Sequence, residues 1–163
     1  MKTMPLLFLL WPLLGSAQQV AGPATTPQLV VSAAEIAARI AQAEAMVATG
    51  QKYRGDPLLV QGPYSAKIEY HVGADKGVGL NEDVAELFVV LDGAGTMVLG
   101  GTLSDPQRTG SHLQAASATG GTPYRLAKGD VAMIPVGIAH TISQTDGKLV
   151  LLSMHLPMAA SAP

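Results

Sequence analysis

Two residues of this sequence that could do chemistry, Glu86 and His140, each lie in a segment that contains several glycines. We call these the two glycine-punctuated segments. The first segment contains Gly73, Gly79, Asn81, Glu86 and Gly93, and the second contains Gly129, Pro135, Gly137 and His140. A carboxylate and an imidazole that meet in a fold can act as an acid–base pair or as part of a transition-metal site. The chain has no cysteine, which excludes thiol catalysis and zinc–thiolate sites.

A period of two predicts the strands that must position these residues. In Tyr64–Val72, one face carries Ala66, Ile68 and Tyr70, while the other carries Lys67, Glu69 and His71. The other predicted strands are Glu86–Leu91, Thr96–Gly100, Tyr124–Leu126, Val131–Ile134, His140–Ser143 and Lys148–Leu156. Turns are expected at 92–95, 128–130, 135–137 and 146–147, and a long loop at Ser104–Gly121. Many short strands with little helix indicate an all-β sandwich or barrel.

The N-terminal part has a different organisation. Residues 1–17 have the pattern of a cleavable signal peptide with cleavage after Ala17, which predicts a secreted or periplasmic protein. Residues 18–31 are predicted to be a flexible leader. Residues 32–50 are predicted to form a helix, because Ser32 and Glu35 make a capping box and Gly50 suits the helix end.

The two glycine-punctuated segments resemble the two motifs of the cupin superfamily, and their local amino-acid sequences look like those of small single-domain bacterial cupins. The resemblance implies a double-stranded β-helix, or jelly-roll barrel, over residues 60–157, with one N-terminal α-helix. In cupins the faces that carry Glu86 and His140 point into the barrel. The resemblance therefore implies that these two residues meet there, as the candidate catalytic pair.

The metal-binding part of the cupin pattern is incomplete. Metal-binding cupins commonly use two histidines and a glutamate from the first motif and one histidine from the second, but here the first two positions are Gly79 and Asn81. The resemblance implies a weak divalent metal site (Mn, Fe, Ni, Cu or Zn) at Glu86 and His140, with the Asn81 amide as a poor third ligand. An alignment shifted by one residue replaces Asn81 with Glu82.

Structural roles are favoured over ligand roles for the other three histidines. His71 shares a face with Lys67 and Glu69, which predicts a solvated surface. His112 lies in the predicted long loop, and an exposed position is favoured over a ligand role. His155 belongs to a strand that is apolar on both faces, so the direction of its side chain stays open.

The expected function is the binding of a small polar molecule in the barrel, with an oxygenase, isomerase or lyase activity left open. The alternative is a metal-free, non-catalytic binding protein. A net charge of −2 gives no basic surface for nucleic acid, and the apolar run at residues 4–14 is too short and proline-broken for a membrane span. Residues 87–91 and 149–152 are apolar on both faces, so the helix or a second subunit must cover them, and a homodimer is a reasonable expectation.

Overall fold

A computed structural model describes residues 28–50, 55 and 57–158. The predicted signal peptide and most of the predicted leader lie outside these residues. The described part contains one helix, α1 (Ala33–Ala48), and eleven strands. The strands are β1 (Pro57–Gln61), β2 (Tyr64–His71), β3 (Val78–Asn81), β4 (Val84–Leu99), β5 (Thr102–Leu103), β6 (Gln107–Thr109), β7 (His112–Ala115), β8 (Ala118–Thr119), β9 (Thr122–Ala127), β10 (Val131–Ile134) and β11 (His140–Pro157). The prediction of a mostly β protein with one N-terminal helix is confirmed.

The capping box predicted for the helix is present. The Ser32 side chain accepts a hydrogen bond from the Glu35 amide at 3.2 Å, and the Glu35 carboxylate accepts one from the Ser32 amide at 2.8 Å. Gly50 lies just after the helix with φ of 77°, in the left-handed region that glycine adopts at low cost. No helix in the described ranges is long and apolar enough to cross a bilayer.

The sheet is built around two long antiparallel strands, β4 and β11. They pair from His140 opposite Leu99 to Pro157 opposite Val84, with register shifts in between. The other edge of β11 pairs with β2, and the other edge of β4 pairs with β10 along its first half and with β9 along its second half.

The turns predicted at 92–95 and 146–147 are wrong, because each divides what is one bent strand. At Gly93, φ is 75° and a Cβ atom would lie 2.0 Å from the Lys148 carbonyl oxygen. Glycine thus lets the two long strands approach closely at the bend, where their register shifts between Thr145 and Leu149.

The prediction of a long loop at Ser104–Gly121 is also wrong, because β6, β7 and β8 lie within this segment. β7 pairs with β3 in a register that places Asn81 opposite His112, and β6 folds back on β7. β7 is a short strand with almost no local signal, since its partner β3 is distant in the chain. Their pairing brings His112 beside the first glycine-punctuated segment.

Two apolar clusters lie on opposite sides of the β2–β11–β4 sheet. The inner cluster fills the barrel with Phe88, Val90, Leu149 and Leu151 among its members. The outer cluster, which contains Ile68, Val150 and Leu152, is covered by Ile36 and Ile40 of α1. The helix therefore covers the second face of the strands that are apolar on both sides.

Candidate functional site

The polar face of β2 points into the barrel. Glu69 pairs with Leu151, and His71 pairs with Leu149, which are both members of the inner apolar cluster. Residues directly opposite on antiparallel strands share a face, so Glu69 and His71 face inward. The expected surface position of His71 is therefore wrong: only 16% of its side chain is exposed. The apolar face of β2 lies under the helix, where Ile68 packs with Ile36 and Ile40.

The predicted pair, Glu86 and His140, meets inside the barrel. The Glu86 Oε2 atom lies 3.7 Å from His140 Nε2, and Oε1 lies 3.7 Å from His155 Nε2. Glu86 is 5% exposed, and the Asn81 side-chain amide donates a hydrogen bond to Oε1. The carboxylate is thus flanked by two imidazoles and an amide. The ring of Phe88 makes an edge contact with His140, with centroids 6.0 Å apart and planes at 74°.

His112 extends this cluster outward. Its Nδ1 atom lies 2.8 Å from the Asn81 side-chain oxygen, so Asn81 bridges His112 and Glu86. A Cβ atom placed on Gly79 would lie 3.2 Å from His112 Cε1 and 4.0 Å from His140 Cε1. The two imidazoles therefore lie on either side of one small space above Gly79.

Four charged residues form a second network beside this cluster. His71 hydrogen-bonds Asp75 through Nδ1 at 2.9 Å and Glu69 through Nε2 at 3.3 Å, and Lys67 Nζ lies 2.9 Å from Glu69. Burial lowers the pKa of His71, but the bonds to Asp75 and Glu69 outweigh it and raise the pKa to about 9. Burial raises the pKa of Glu69, but its bonds to His71 and Lys67 outweigh this and lower the pKa to about 2. His71 is therefore protonated and Glu69 is ionised at neutral pH.

The network is tied to the strand that carries His140. Asp75 accepts a hydrogen bond from the Ile142 amide at 3.0 Å, and its own amide donates to the Ile142 carbonyl at 2.8 Å. His71 therefore holds the chain after β2 against β11, two residues from His140.

These side chains open onto a cleft of about 330 Å³, which we call the polar cleft. Its walls include three histidines, one glycine and two apolar residues: His71, His112, His140, Gly79, Phe88 and Ile142. His140 of the predicted pair faces the cleft, whereas Glu86 is not among the lining residues and lies behind His140. Polar groups that converge over apolar walls are typical of a small-molecule site.

Glu82, the alternative metal ligand, is placed differently. Its carboxylate forms an ion pair with Arg108 across the β3–β7–β6 edge, and 38% of its side chain is exposed. This pair lowers the pKa of Glu82, because the Arg108 guanidinium stabilises the carboxylate. The structure thus brings Asn81 together with Glu86 and His140 and engages Glu82 elsewhere.

No family model matches the chain, and no curated protein matches it either. Solved structures do match. The hydroquinone 1,2-dioxygenase PnpCD, in complex with Cd²⁺ and 4-hydroxybenzonitrile, has TM-score 0.51 and 20% identity over 69% of each chain. The protein BH2720 from Bacillus halodurans has TM-score 0.51 and 16% identity over 82% of this chain and 85% of that one. The hydroquinone 1,2-dioxygenase from Sphingomonas sp. TTNP3, with 4-hydroxybenzoate bound, has TM-score 0.50 and 16% identity over 66% and 67%.

The chain has the cupin fold. It spans 60% of the length of the Schizosaccharomyces pombe Cnp3 cupin domain, with TM-score 0.48, 18% identity and 64% of this chain covered.

The cupin fold raises the question of whether the residues present fit a divalent metal. The described residues contain no group of three or more His, Cys, Asp or Glu side chains arranged to hold one. Asn81 turns its N–H, rather than its oxygen, toward Glu86, and its oxygen is engaged by His112. In the described arrangement Asn81 is therefore not placed to serve as a third ligand beside Glu86 and His140.

Sequence reasoning missed Glu69, His71 and His112 as cleft residues. Alternation in β2 showed two unlike faces but did not show which face was inside. The amphipathic helix was the available signal, because its apolar stripe needs an apolar outer surface to cover. No comparable signal marked His112, since β7 is short and pairs with a distant strand.

Proposed function

We propose that this cupin-fold protein binds a small polar organic molecule in the polar cleft, without a resident metal. The observation that supports this proposal most directly is the convergence of three histidines from three strands, β2, β7 and β11, on one cleft with apolar walls at Phe88 and Ile142. The imidazoles supply hydrogen-bonding groups, and the apolar walls supply contact area. His140 is the member of the predicted pair that touches the ligand. Glu86 lies behind His140 and positions its imidazole.

Two imidazoles next to Glu86 provide a matched test. His140 and His155 each place Nε2 3.7 Å from the carboxylate, but only His140 lines the cleft. A thermal-shift screen of small organic acids, phenols and sugars should find ligands that raise the Tm of the wild-type protein. His140→Gln should abolish the rise in Tm that such a ligand causes. His155→Gln should keep a rise in Tm within twofold of the wild-type value. Equal loss in both variants, or no loss in either, would argue against binding in this cleft.

A divalent metal at Glu86 and His140 is the second candidate, together with the oxygenase, isomerase or lyase activity considered above. It is favoured by the adjacency of a carboxylate and imidazoles and by the Cd²⁺ in one cupin-fold neighbour. Elemental analysis of protein purified without a histidine tag separates the two candidates. Metal near one equivalent per chain that falls on Glu86→Ala substitution would replace the metal-free proposal with this one.

We also propose that a second copy of the chain covers the outer face of β10. Val131 and Met133 on this face are 61% and 50% exposed, and Met133 lies opposite Leu87, which in turn lies opposite Met154. In the described part of the chain β10 pairs only with β4, so one of its edges is unpaired. Met133→Glu should convert a dimer to a monomer in light scattering coupled to gel filtration. A wild-type protein that is already monomeric would contradict this proposal.

Export is proposed on the signal-peptide pattern of residues 1–17. Binding would then occur outside the cytoplasm.

A further inference from the structure

The Asn81 bridge determines which nitrogen of His112 carries a proton. A carboxylate only accepts hydrogen bonds, so the Asn81 amide nitrogen must face Glu86 and its oxygen must face His112. Because that oxygen also only accepts, His112 must donate through Nδ1. When the ring is neutral, its single N–H is therefore on Nδ1, and Nε2 carries an exposed lone pair.

The Nε2 atom of His112 lies close to the cleft wall at Gly79. His112 Nε2 lies 3.9 Å from the position of a Cβ atom on Gly79, and His112 lines the cleft wall. Gly79 is not among the residues with positive φ, so the backbone does not require glycine there. What a side chain at this position would meet is the His112 ring, at 3.2 Å. The absence of a side chain at Gly79 therefore keeps the space in front of the imidazole open.

The other histidines of the cleft do not offer the same group. Both nitrogens of His71 bond carboxylates, of Asp75 and Glu69, so both must donate. His140 directs Nε2 toward Glu86, at 3.7 Å, and Nδ1 toward the Ile138 carbonyl. Among the described residues, His112 Nε2 has no hydrogen-bond partner within the protein, so it is the acceptor left for a ligand.

We propose that His112 Nε2 is the specificity-determining acceptor of the polar cleft, and that it selects a small planar molecule carrying a phenolic or enolic hydroxyl. This inference rests on the proposed function. A hydroxyl that donates to Nε2 leaves the rest of the ligand against Phe88 and Ile142, and the missing side chain at Gly79 suits a flat ring. A ligand with its hydroxyl replaced by an ether leaves the acceptor unpaired in a half-buried site, which is unfavourable.

Phenol and its methyl ether anisole, which lacks the hydroxyl donor, are the two probes that test the inference. Nitrogen-15 NMR of the histidine rings in the full wild-type protein should show His112 protonated on Nδ1. Titration with phenol should shift the His112 Nε2 resonance saturably, and anisole should bind at least about tenfold more weakly. Asn81→Leu removes the bridge, so His112 should lose its fixed Nδ1–H form and phenol affinity should fall about tenfold. Arg125→Gln, which changes an exposed ion pair with Asp146 outside the lining of the polar cleft, is the control and should keep both properties.

The outcomes separate this inference from the proposed function. A proton on His112 Nε2 in the wild-type protein would overturn the role of His112. The same holds if phenol and anisole shift the His112 Nε2 resonance equally, or if neither shifts it. If His140→Gln loses the ligand-induced rise in Tm but phenol leaves the His112 resonance of the wild-type protein unchanged, the proposed function stays intact and this inference alone is removed. The tautomer is measured on the wild-type protein, so the test does not depend on a variant that folds.

Discussion

Replacing His71 with glutamine should remove most of the pH dependence of stability between pH 6.5 and 9. The pKa of His71 is raised from 6.5 to about 9, because its bonds to Asp75 and Glu69 outweigh the opposing effect of burial. A group whose pKa is higher in the folded state stabilises the fold while it is protonated in both states. Its contribution is therefore complete below pH 6.5 and is lost as the pH rises through 9.

The size of this effect follows from the shift. The rise from 6.5 to about 9 corresponds to about 3 kcal/mol, at about 1.4 kcal/mol per pH unit. Urea unfolding followed by circular dichroism, at pH values from 5 to 10, should show the wild-type protein losing about this free energy of unfolding over the window. His71→Gln should be less stable at pH 6 and nearly flat up to pH 9.

The controls address the other titratable groups near His71. Glu69 and Asp75 contact His71, and Lys76, His112 and His140 line the same cleft. His112→Gln removes a neighbouring histidine without touching the His71 bonds, so the alkaline loss should persist. A wild-type protein that is equally stable at pH 6.5 and 9, or an equal loss in His71→Gln, would refute the electrostatic reasoning.

Three further results are expected. In the same urea assay, Gly93→Ala should reduce the free energy of unfolding by at least about 3 kcal/mol, because its Cβ atom would lie 2.0 Å from a backbone carbonyl oxygen. The control is Gly147→Ala, which is also at positive φ but has nothing within 4 Å of its Cβ position. It should reduce the free energy of unfolding by only about 1 kcal/mol. Gly79→His should not create a metal site, because the added Cβ atom would already lie 3.2 Å from His112 Cε1. It should reduce stability by about 1–3 kcal/mol, and elemental analysis showing a full equivalent of bound Ni²⁺ would contradict this. The exported protein should begin at Gln18, and mass spectrometry of the intact mature chain would show any other terminus.

Local patterns in the sequence were sufficient for the elements whose partners are near in the chain. The capping box at Ser32 and Glu35 predicted where the helix starts, because both partners lie within one turn. Alternation predicted β2 and its two unlike faces. The resemblance of the two glycine-punctuated segments to the cupin motifs implied the cupin fold, whereas local patterns such as alternation implied only a sandwich or barrel.

Tertiary structure decided which face of β2 is inside. Alternation has the same period whichever face is buried, and the helix packs on the apolar face, so the face with Glu69 and His71 becomes the cleft wall. Long-range pairing also decided the position of His112, because β7 acquires its place from the distant strand β3. The sequence, through its resemblance to cupins, thus predicted the barrel and the meeting of Glu86 with His140, while the cleft that surrounds them depends on contacts between residues far apart in the chain.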